Sequence, residues 1–323
     1  MKNKKSCFFA VIIFIIVIVI MGLLGVFVLA VGSLALDTSG DYQENYVEGV
    51  GENRVVLLHI KGAISNQGNG DGLFEVTGVS TPDIIRQIDL AISNSTVVGI
   101  LIEMDSPGGE IVASDLIYQK LLEAKQEGII VVTYMQTLGA SGGYYIAVAS
   151  DAILANELTT TGSIGVYSVF QDVSGLYEKL GIEQRVIKQG DFKTGAGLFD
   201  ENDSGVEDKI YQEIVDQAQE RFVSVVAEGR KLSIAEAGGL ADGRIYTGKQ
   251  AVENGLIDQI GGRKESIAEM KSLTGNQELY IMEYSSSDFW GELLAIFNGF
   301  NVNALLYNLA KQEQGMKMMY MMR

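Results

Sequence analysis

The stretch VVGILIEMDSPGG, residues 97–109, decides the fold class of this chain of 323 residues. It begins with a nearly continuous apolar run, which is typical of a strand buried on both faces of a parallel sheet. A Gly-rich turn follows, and the same order returns where the apolar run 129–135 precedes the Gly-rich stretch 139–143. Helical spacing of apolar residues lies between such runs, over 82–93 and 114–127. This repetition predicts an α/β fold of stacked βα units with mostly parallel strands.

The second half of the chain is more helical. Apolar residues recur there at spacings of four and three, at Val206, Ile210, Ile214, Ala218, Phe222 and Val225. One apolar stripe of this kind predicts a single long helix that packs along one side. The predicted fold therefore ends in a helical C-terminal part.

Composition excludes several classes of function. The chain has 24 basic and 41 acidic side chains and a formal net charge of -17, which argues against nucleic-acid binding because a phosphate backbone needs a basic footprint. A single Cys excludes an intramolecular disulfide and a Cys-rich metal site, and a single His excludes a metal centre built from several histidines. We expect neither a metal nor a cofactor.

The N-terminal segment predicts a membrane anchor. Residues 7–36 carry no charged side chain, and this length is sufficient to cross the hydrocarbon core of a bilayer. Lys2, Lys4 and Lys5 precede the segment, so the positive-inside rule places the N-terminus in the cytoplasm and the rest of the chain outside the cell membrane. The triplet 33–35, Ser-Leu-Ala, resembles a signal cleavage site, which leaves removal of this segment as an alternative.

Ser141 is a candidate nucleophile. It lies between a predicted strand and a short apolar helix, where backbone N–H groups and the helix dipole favour an anion. A Ser at this position is by default a helix cap, and a nucleophilic Ser needs a base. His59 lies in an ordinary strand-like run, whereas Lys193 lies in a Gly-rich loop beside Phe192. Lysine accepts a proton only when burial keeps it neutral, and a solvated Lys193 is the alternative.

Four ordered motifs resemble the signal peptide peptidases of the SppA type, which are bacterial membrane-anchored serine proteases. They are DSPGG at 105–109, ASGGYY at 140–145, TGSIG at 161–165 and GDFK at 190–193. Two further stretches, 241–249 and 254–258, also look like the family. The resemblance extends over about residues 54–270 and implies a fold shared with Clp-type proteases and crotonases.

The resemblance also implies a Ser/Lys catalytic dyad. Ser141 matches the nucleophile, Lys193 matches the general base, and Ser163 matches the Ser that orients the lysine. The sequence departs from the family pattern after the lysine, where Ala-Gly-Leu-Phe at 196–199 replaces a segment that often contains Pro. A looser loop would hold Lys193 less rigidly.

Three glycines match the family's oxyanion donors. Gly108 or Gly109, together with Gly142, would offer backbone N–H groups to the developing negative charge. The resemblance implies peptide substrates, chiefly signal peptides, bound as an extended strand beside 108–112 and 166–170 with a small or aliphatic side chain at the cleaved position. It also implies a homo-oligomeric ring.

The predicted chain has four segments. They are a cytoplasmic tip and transmembrane anchor over 1–36, a linker over 37–53, a protease domain over 54–285, and a C-terminal amphipathic helix and tail over 286–323. Two other functions stay open. A crotonase-like acyl-CoA enzyme would use the same oxyanion site without needing Ser141 or Lys193, and a membrane scaffold would keep the fold without catalysis.

Overall fold

The computed structural model describes residues 42–66, 78–170, 173–183, 185, 187–190, 192–193 and 206–286. The chain divides into two units, one of residues 45–283 and one of 1–44 together with 284–323. The predicted membrane segment 7–36 lies outside the described residues, as does nearly all of the predicted C-terminal helix and tail. No helix within the described ranges is long and apolar enough to cross a membrane.

The described elements alternate between strands and helices. The strands are β1 Tyr42–Gly49, β2 Arg54–Lys61, β3 Ala63–Ser65, β4 Gly78–Ser80, β5 Val97–Ser106, β6 Ile130–Ala140, β7 Ala152–Ala155, β8 Thr160–Gly162, β9 Ile245–Thr247, β10 Gln259–Ile260 and β11 Tyr280–Ser286. The helices are α1 Thr81–Ser93, α2 Ile111–Gln126, α3 Gly142–Ala147, α4 Ser174–Leu180, α5 Val206–Arg230, α6 Ile234–Gly239, α7 Gly248–Glu253 and α8 Arg263–Thr274.

The large sheet has the strand order β1-β11-β2-β5-β6-β7-β10, and β8 lies beside β6 and β9. Among the strand pairs whose register is described, β8–β9 is antiparallel and the others are parallel. The prediction of an α/β fold with a mostly parallel sheet is confirmed. Its assignment to the Clp-protease and crotonase fold stays a prediction.

The core lies on both faces of β2 and β5, as the apolar sequence predicts. Alternate residues of a strand point to opposite faces. One set packs in a cluster with Met270 of α8, and it includes Val55, Leu57 and Leu101. The intervening residues are equally buried, among them Val56, Leu58, Ile100 and Ile102. Helices on both faces explain why the sequence of β5 is continuously apolar rather than alternating.

The structure differs from the sequence prediction in the segment that precedes β2. Residues 42–49, predicted as part of a linker, form the edge strand β1. Most of its side chains are exposed, so the apolar alternation by which a strand is recognised is absent. Tyr46 packs against Tyr280 with a distance of 5.2 Å between ring centroids. Backbone pairing, this aromatic contact and the packing of Val47 against the core hold a segment whose sequence predicts a tether.

Candidate active site

Two Gly-rich turns meet at one edge of the sheet. Strand β5 ends at Ser106 and β6 ends at Ala140, and the two strands are parallel neighbours with Ser106 paired to Gly139. The carboxyl ends of parallel strands form a common edge, which is where open α/β sheets bind ligands. The predicted site residues Gly108, Gly109, Ser141 and Gly142 therefore come together.

Ser141 occupies a strained backbone position between β6 and α3. Its φ is 53° and its ψ is -122°, a conformation that residues with a side chain rarely adopt. Its N–H donates to the carbonyl of Gly162 over 2.8 Å, which anchors the turn. The side chain makes no capping hydrogen bond to α3. The alternative interpretation of Ser141 as a helix cap is therefore not supported, and the hydroxyl is left available for chemistry.

The backbone N–H of Gly108 is hydrogen-bonded within the turn. Its N–H donates to Ser106 Oγ over 3.1 Å, and Ser106 Oγ donates to the carbonyl of Gly62 over 2.6 Å. Ser106 is completely buried. Because its N–H is already engaged, Gly108 is a poor candidate for an oxyanion donor. Its φ of 97° instead gives the turn a shape that favours glycine.

The amide nitrogen of Gly109 lies beside the turn that carries Ser141 and Gly142. The carbonyl of Gly108 and the N–H of Glu110 bond to Ile64, over 3.0 Å and 2.9 Å, so the backbone on either side of Gly109 is tied to β3. The N–H of Gly109 makes no hydrogen bond within the described part of the chain. A Cβ on Gly142 would lie 3.2 Å from Gly109 N, so these two backbones approach each other closely.

Gly142, which directly follows Ser141, brings a second backbone N–H to this turn. As the first residue of α3, Gly142 has no intrahelical acceptor for its N–H. A Cβ added to Gly108 would lie 2.5 Å from Gly142 N, which shows how tightly the two turns pack. Two donors, from Gly109 and Gly142, thus border the position of Ser141. An oxyanion site needs this arrangement of preorganised backbone N–H groups.

Ser163 lies next to Ser141 through the pairing of β6 with β8. Ala140 pairs with Gly162. Ser141 and Ser163, which directly follow these two residues, therefore occupy neighbouring backbone positions. Ser163 also has a positive φ of 49°, and its N–H donates to the carbonyl of Arg244 over 2.8 Å. A cavity of about 420 Å³ opens beside Ser163.

Within the described residues, Lys193 makes no hydrogen bond to Ser141 or Ser163. Its backbone N–H donates to the carbonyl of Gly190 over 3.3 Å, and its side chain is exposed. Across the described ranges, its ammonium group makes no hydrogen bond or ion pair with another residue. Residues 194–205, which follow it, lie outside the described part of the chain. The assignment of Lys193 as the base stays a prediction.

His59, the alternative base, belongs to a different cluster. Its Nε2 lies 3.2 Å from Glu283 Oε2, and its Nδ1 lies 3.5 Å from Oε2 of the buried Glu103. Arg263 Nη1 lies 2.7 Å from the other oxygen of Glu103. These contacts engage His59 with carboxylates, so the structure gives no support to a histidine base at Ser141.

A mainly apolar pocket opens beside Ser141. Its volume is about 230 Å³. The residues of its wall are Gly109, Ile111, Val112, Ser114, Asp115, Leu116, Ser141, Gly142, Tyr145, Gly165, Val166, Tyr167, Ala218, Arg221 and Phe222. Because the wall of the pocket includes Ser141, Gly109 and Gly142, a group bound in it would lie next to the predicted nucleophile and oxyanion donors.

One side of this pocket is an aromatic cluster. Tyr145 lies 5.2 Å from Tyr118 and 5.1 Å from Phe222, measured between ring centroids. The Tyr145 hydroxyl donates to Asp115 Oδ1, and Arg221 Nη2 lies 3.3 Å from the same oxygen. Burial, and then the hydrogen bond to Asp115, raise the pKa of Tyr145, so this hydroxyl stays protonated as a donor.

A wider groove runs past the same serine. Its volume is about 900 Å³, and its wall includes Ala63, residues 107–112, Ser141 and residues 167–169. These are largely the two segments beside which the sequence predicts an extended peptide. Ile111, Val112 and Val169 expose apolar side chains along it. The groove is therefore suited to an extended, largely apolar chain.

The sequence did not reveal the pocket. Tyr145 belongs to the motif at 140–145, and Phe222 belongs to the apolar stripe of the long helix. Neither context marks these residues as part of a binding site. Asp115 and Arg221 are 106 residues apart and carry no local signal. Ser106 lies inside a quoted motif, but its bond to Gly108 could not be read from the residue order.

Comparisons with known proteins identify the family. The family model described as peptidase family S49 matches residues 123–277, which include Ser141, Ser163 and Lys193. A putative signal peptide peptidase SppA of Enterococcus faecium is 38% identical over 244 residues, which cover 76% of this chain and 70% of that protein. The chain belongs to peptidase family S49.

Two other relatives show how widely this S49 sequence is shared. A putative protease of Methanocaldococcus jannaschii is 31% identical over 308 residues, covering 93% of this chain and 96% of that protein. Protease 4 of Haemophilus influenzae is 28% identical over 268 residues, covering 82% of this chain and 42% of that protein. The resemblance found in the motifs is thus confirmed, and the chain is a serine peptidase rather than an acyl-CoA enzyme.

Proposed function

We propose that this S49 peptidase cleaves peptide bonds by attack of Ser141 Oγ, with Lys193 as the general base and Ser163 as the residue that orients the lysine. Its substrates are remnant signal peptides and similar membrane-derived peptides. The catalytic unit acts on the extracytoplasmic side of the cell membrane, where the apolar segment 7–36 holds it in the bilayer.

The arrangement of Ser141 beside two unbonded amides is the observation that carries this proposal. The serine is held at φ 53° with its side chain uncapped, and Gly109 and Gly142 lie beside it with N–H groups that make no hydrogen bond within the described ranges. A capping serine would use its hydroxyl on the helix, and a simple turn would not leave two donors facing one point. A nucleophile beside an oxyanion site explains both features.

The chemistry follows from these positions. Ser141 Oγ attacks the scissile carbonyl carbon while Lys193 removes the hydroxyl proton, and the carbonyl oxygen becomes an oxyanion bound by the N–H groups of Gly109 and Gly142. Lys193 then gives the proton to the leaving amine as the C–N bond breaks. Water, activated by the same lysine, attacks the acyl-enzyme and releases the second peptide. One such donor is worth about 3–4 kcal/mol of barrier.

Lys193 must move and lose contact with solvent to act in this way. Lysine accepts a proton only in its neutral form, which burial favours. The cavity of about 420 Å³ beside Ser163 has room for a lysine side chain. The Gln219 Oε1 atom, on a residue of the cavity wall, is buried without a hydrogen-bond partner in the described chain, so it could accept a bond from the amine. We propose that Lys193 enters this cavity in the assembled enzyme.

Assembly as a homo-oligomeric ring would bury the lysine. Large apolar side chains are exposed around the loop that carries it, namely Tyr167, Val169, Phe170, Leu176, Leu180, Ile182, Ile187 and Phe192. Exposed apolar surface of this extent is typical of an interaction surface. A neighbouring subunit that covers it would also exclude water from Lys193.

The chemistry of the groove favours signal peptides as substrates. Such peptides contain an apolar region of roughly 7–15 residues. The pocket and groove beside Ser141 present apolar side chains to an extended chain, and backbone pairing along an exposed edge is a general mode of peptide binding. The relative from Enterococcus faecium carries the name of a putative signal peptide peptidase.

Cleavage of a synthetic signal peptide in detergent micelles, followed by mass spectrometry, tests the proposal. We expect wild type to cleave within the apolar region and both Ser141→Ala and Lys193→Ala to lose at least a thousandfold in rate. Ser93→Ala and Lys188→Ala, which change a serine and a lysine outside the proposed dyad, are the matched controls. Full turnover by Ser141→Ala would overturn the mechanism, and no turnover by wild type would favour a non-catalytic scaffold.

A further inference from the structure

The pocket beside Ser141 contains one charge pair. Asp115, from α2, and Arg221, from α5, are the charged residues in its described wall. Arg221 Nη2 lies 3.3 Å from Asp115 Oδ1. The Tyr145 hydroxyl donates to the same oxygen, and Gln119 Nε2 donates to Asp115 Oδ2 over 2.5 Å. Both oxygens of the carboxylate are therefore satisfied by groups of the protein.

The arginine is held by more than its ion pair. Its guanidinium carbon lies 5.9 Å from the centroid of the Tyr118 ring, a distance at which a cation is attracted to an aromatic face. The side chains of Asp115 and Arg221 are 27% and 48% exposed, so the pair forms part of the pocket wall while keeping some contact with solvent. The charges cancel, and the remaining wall is mainly apolar.

We propose that the Asp115–Arg221 pair determines which side chain is accepted before the cleaved bond, the P1 side chain, by keeping the pocket neutral. The intact pair selects uncharged, apolar P1 residues. Loss of Arg221 exposes a carboxylate that accepts a basic P1 residue, and loss of Asp115 exposes a guanidinium that accepts an acidic one. The proposal rests on the proposed function, since it requires that Ser141 is the nucleophile beside this pocket.

The physical reason is the cost of an unpaired charge in a mainly apolar space. A lysine entering the intact pocket would lose water and meet a carboxylate that Arg221 already neutralises, so it would gain little in return. When Arg221 is removed, Asp115 Oδ1 keeps only the neutral Tyr145 hydroxyl. A substrate ammonium group can then pair with the free negative charge. Removal of Asp115 produces the reverse situation around Arg221.

Peptides that differ only at P1, with Leu, Lys or Glu, test the proposal through ratios of kcat/KM. We expect Arg221→Gln to raise the Lys/Leu ratio at least tenfold, which is about 1.4 kcal/mol. Asp115→Asn should raise the Glu/Leu ratio by a similar factor. The double variant Asp115→Asn/Arg221→Gln should return both ratios to the wild-type range, as should Arg221→Lys, which keeps the pair.

Lys120→Gln is the matched control, because Lys120 lies on the same helix α2 but pairs with Asp89 and Glu123 outside the pocket. Its P1 ratios should equal those of wild type. Ratios within twofold of wild type for both Arg221→Gln and Asp115→Asn would overturn this inference and leave the Ser141 mechanism intact. Equal cleavage by wild type and Ser141→Ala would instead overturn the proposed function.

Discussion

The backbone N–H of Gly108 donates to Ser106 Oγ over 3.1 Å, inside the turn that leads from β5 to the site. This bond decides between two neighbouring glycines that the sequence cannot distinguish. With the Gly108 amide engaged, Gly109 keeps an N–H that makes no hydrogen bond within the described residues, beside the turn of Ser141. On the proposed mechanism, the buried Ser106 hydroxyl would position the oxyanion donors without touching the substrate.

Removal of this hydroxyl tests its positioning role. Ser106→Ala leaves the Gly108 amide and the Gly62 carbonyl without their partner, and an unsatisfied buried polar group costs about 1–3 kcal/mol. We expect denaturant unfolding to show that loss and kcat to fall roughly tenfold with little change in KM. Ser93→Ala, whose hydroxyl bonds Asp89 O at an exposed position, is the control. A normal kcat in a destabilised Ser106→Ala would restrict Ser106 to a structural role.

Substitution of Gly142 should distinguish an effect on kcat from an effect on stability. An added Cβ would lie 2.4 Å from Ser114 Oγ and 3.2 Å from Gly109 N. We expect Gly142→Ala to lower the melting temperature. It should also reduce kcat about a hundredfold or more, because alanine keeps its own N–H but its Cβ would displace the Gly109 amide, and one oxyanion donor is worth about 3–4 kcal/mol.

The double variant Gly142→Ala/Ser114→Ala removes the closer clash but keeps the Cβ beside Gly109. Its melting temperature should rise above that of Gly142→Ala, while its kcat should stay low. Recovery of kcat together with stability would contradict the placement of Gly142 in the oxyanion site.

Tyr144 should make stability sensitive to alkaline pH. Burial raises the pKa of this completely buried phenol above its ordinary value of about 10, and its hydroxyl donates to Leu256 O over 2.8 Å. The resulting stabilisation is fully present below pH 10 and is lost as the pH rises above it, because the unfolded chain ionises first.

Unfolding free energies measured between pH 7 and 11.5 test this expectation. Tyr144→Phe should be about 1 kcal/mol less stable than wild type at pH 7 and should lose stability less steeply above pH 10. Tyr167→Phe, which removes an exposed hydroxyl, should follow the wild-type curve. Parallel curves for wild type and Tyr144→Phe would show that Tyr144 does not contribute to the alkaline loss.

The buried carboxylate of Glu103 depends on Arg263. Glu103 is 3% exposed, and Arg263 Nη1 lies 2.7 Å from its Oε1. Arg263→Met should cost about 3 kcal/mol of unfolding free energy, because it leaves a buried charge without its cation. Glu103→Gln/Arg263→Met should recover part of that loss. Equal stability of the single and double variants would contradict the ion-pair explanation.

The sequence predicts the centre of this fold better than its edges. The apolar run that begins at Val97 forms a strand buried on both faces, which is the structure that a continuous apolar run predicts. Strand β1 has the opposite character, since it joins the sheet through its backbone while most of its side chains are exposed. Helix α2 begins at Ile111, three residues before the predicted start. The sequence pattern misses this first turn because Ile111 and Val112 line the open groove rather than the core.

The candidate site shows a similar division. Local motifs predict Ser141 and the glycines around it, because the signals for turns and helix starts come from residues that are adjacent in the sequence. The pair of Asp115 and Arg221 joins two helices far apart in the chain, and only the fold brings them to one pocket. For Lys193 the sequence context leaves a solvated side chain as the alternative, and the family resemblance is what predicts a base there.

Labelling with a fluorophosphonate tests the central claim most directly, because this reagent phosphonylates an activated serine with loss of fluoride. Peptide mass spectrometry of the full-length enzyme in detergent should find a single adduct on Ser141. The adduct should form at least a hundredfold more slowly in Lys193→Ala than in Lys188→Ala. An adduct on another serine, or equal labelling of Ser141 with and without Lys193, would contradict a Ser141/Lys193 dyad.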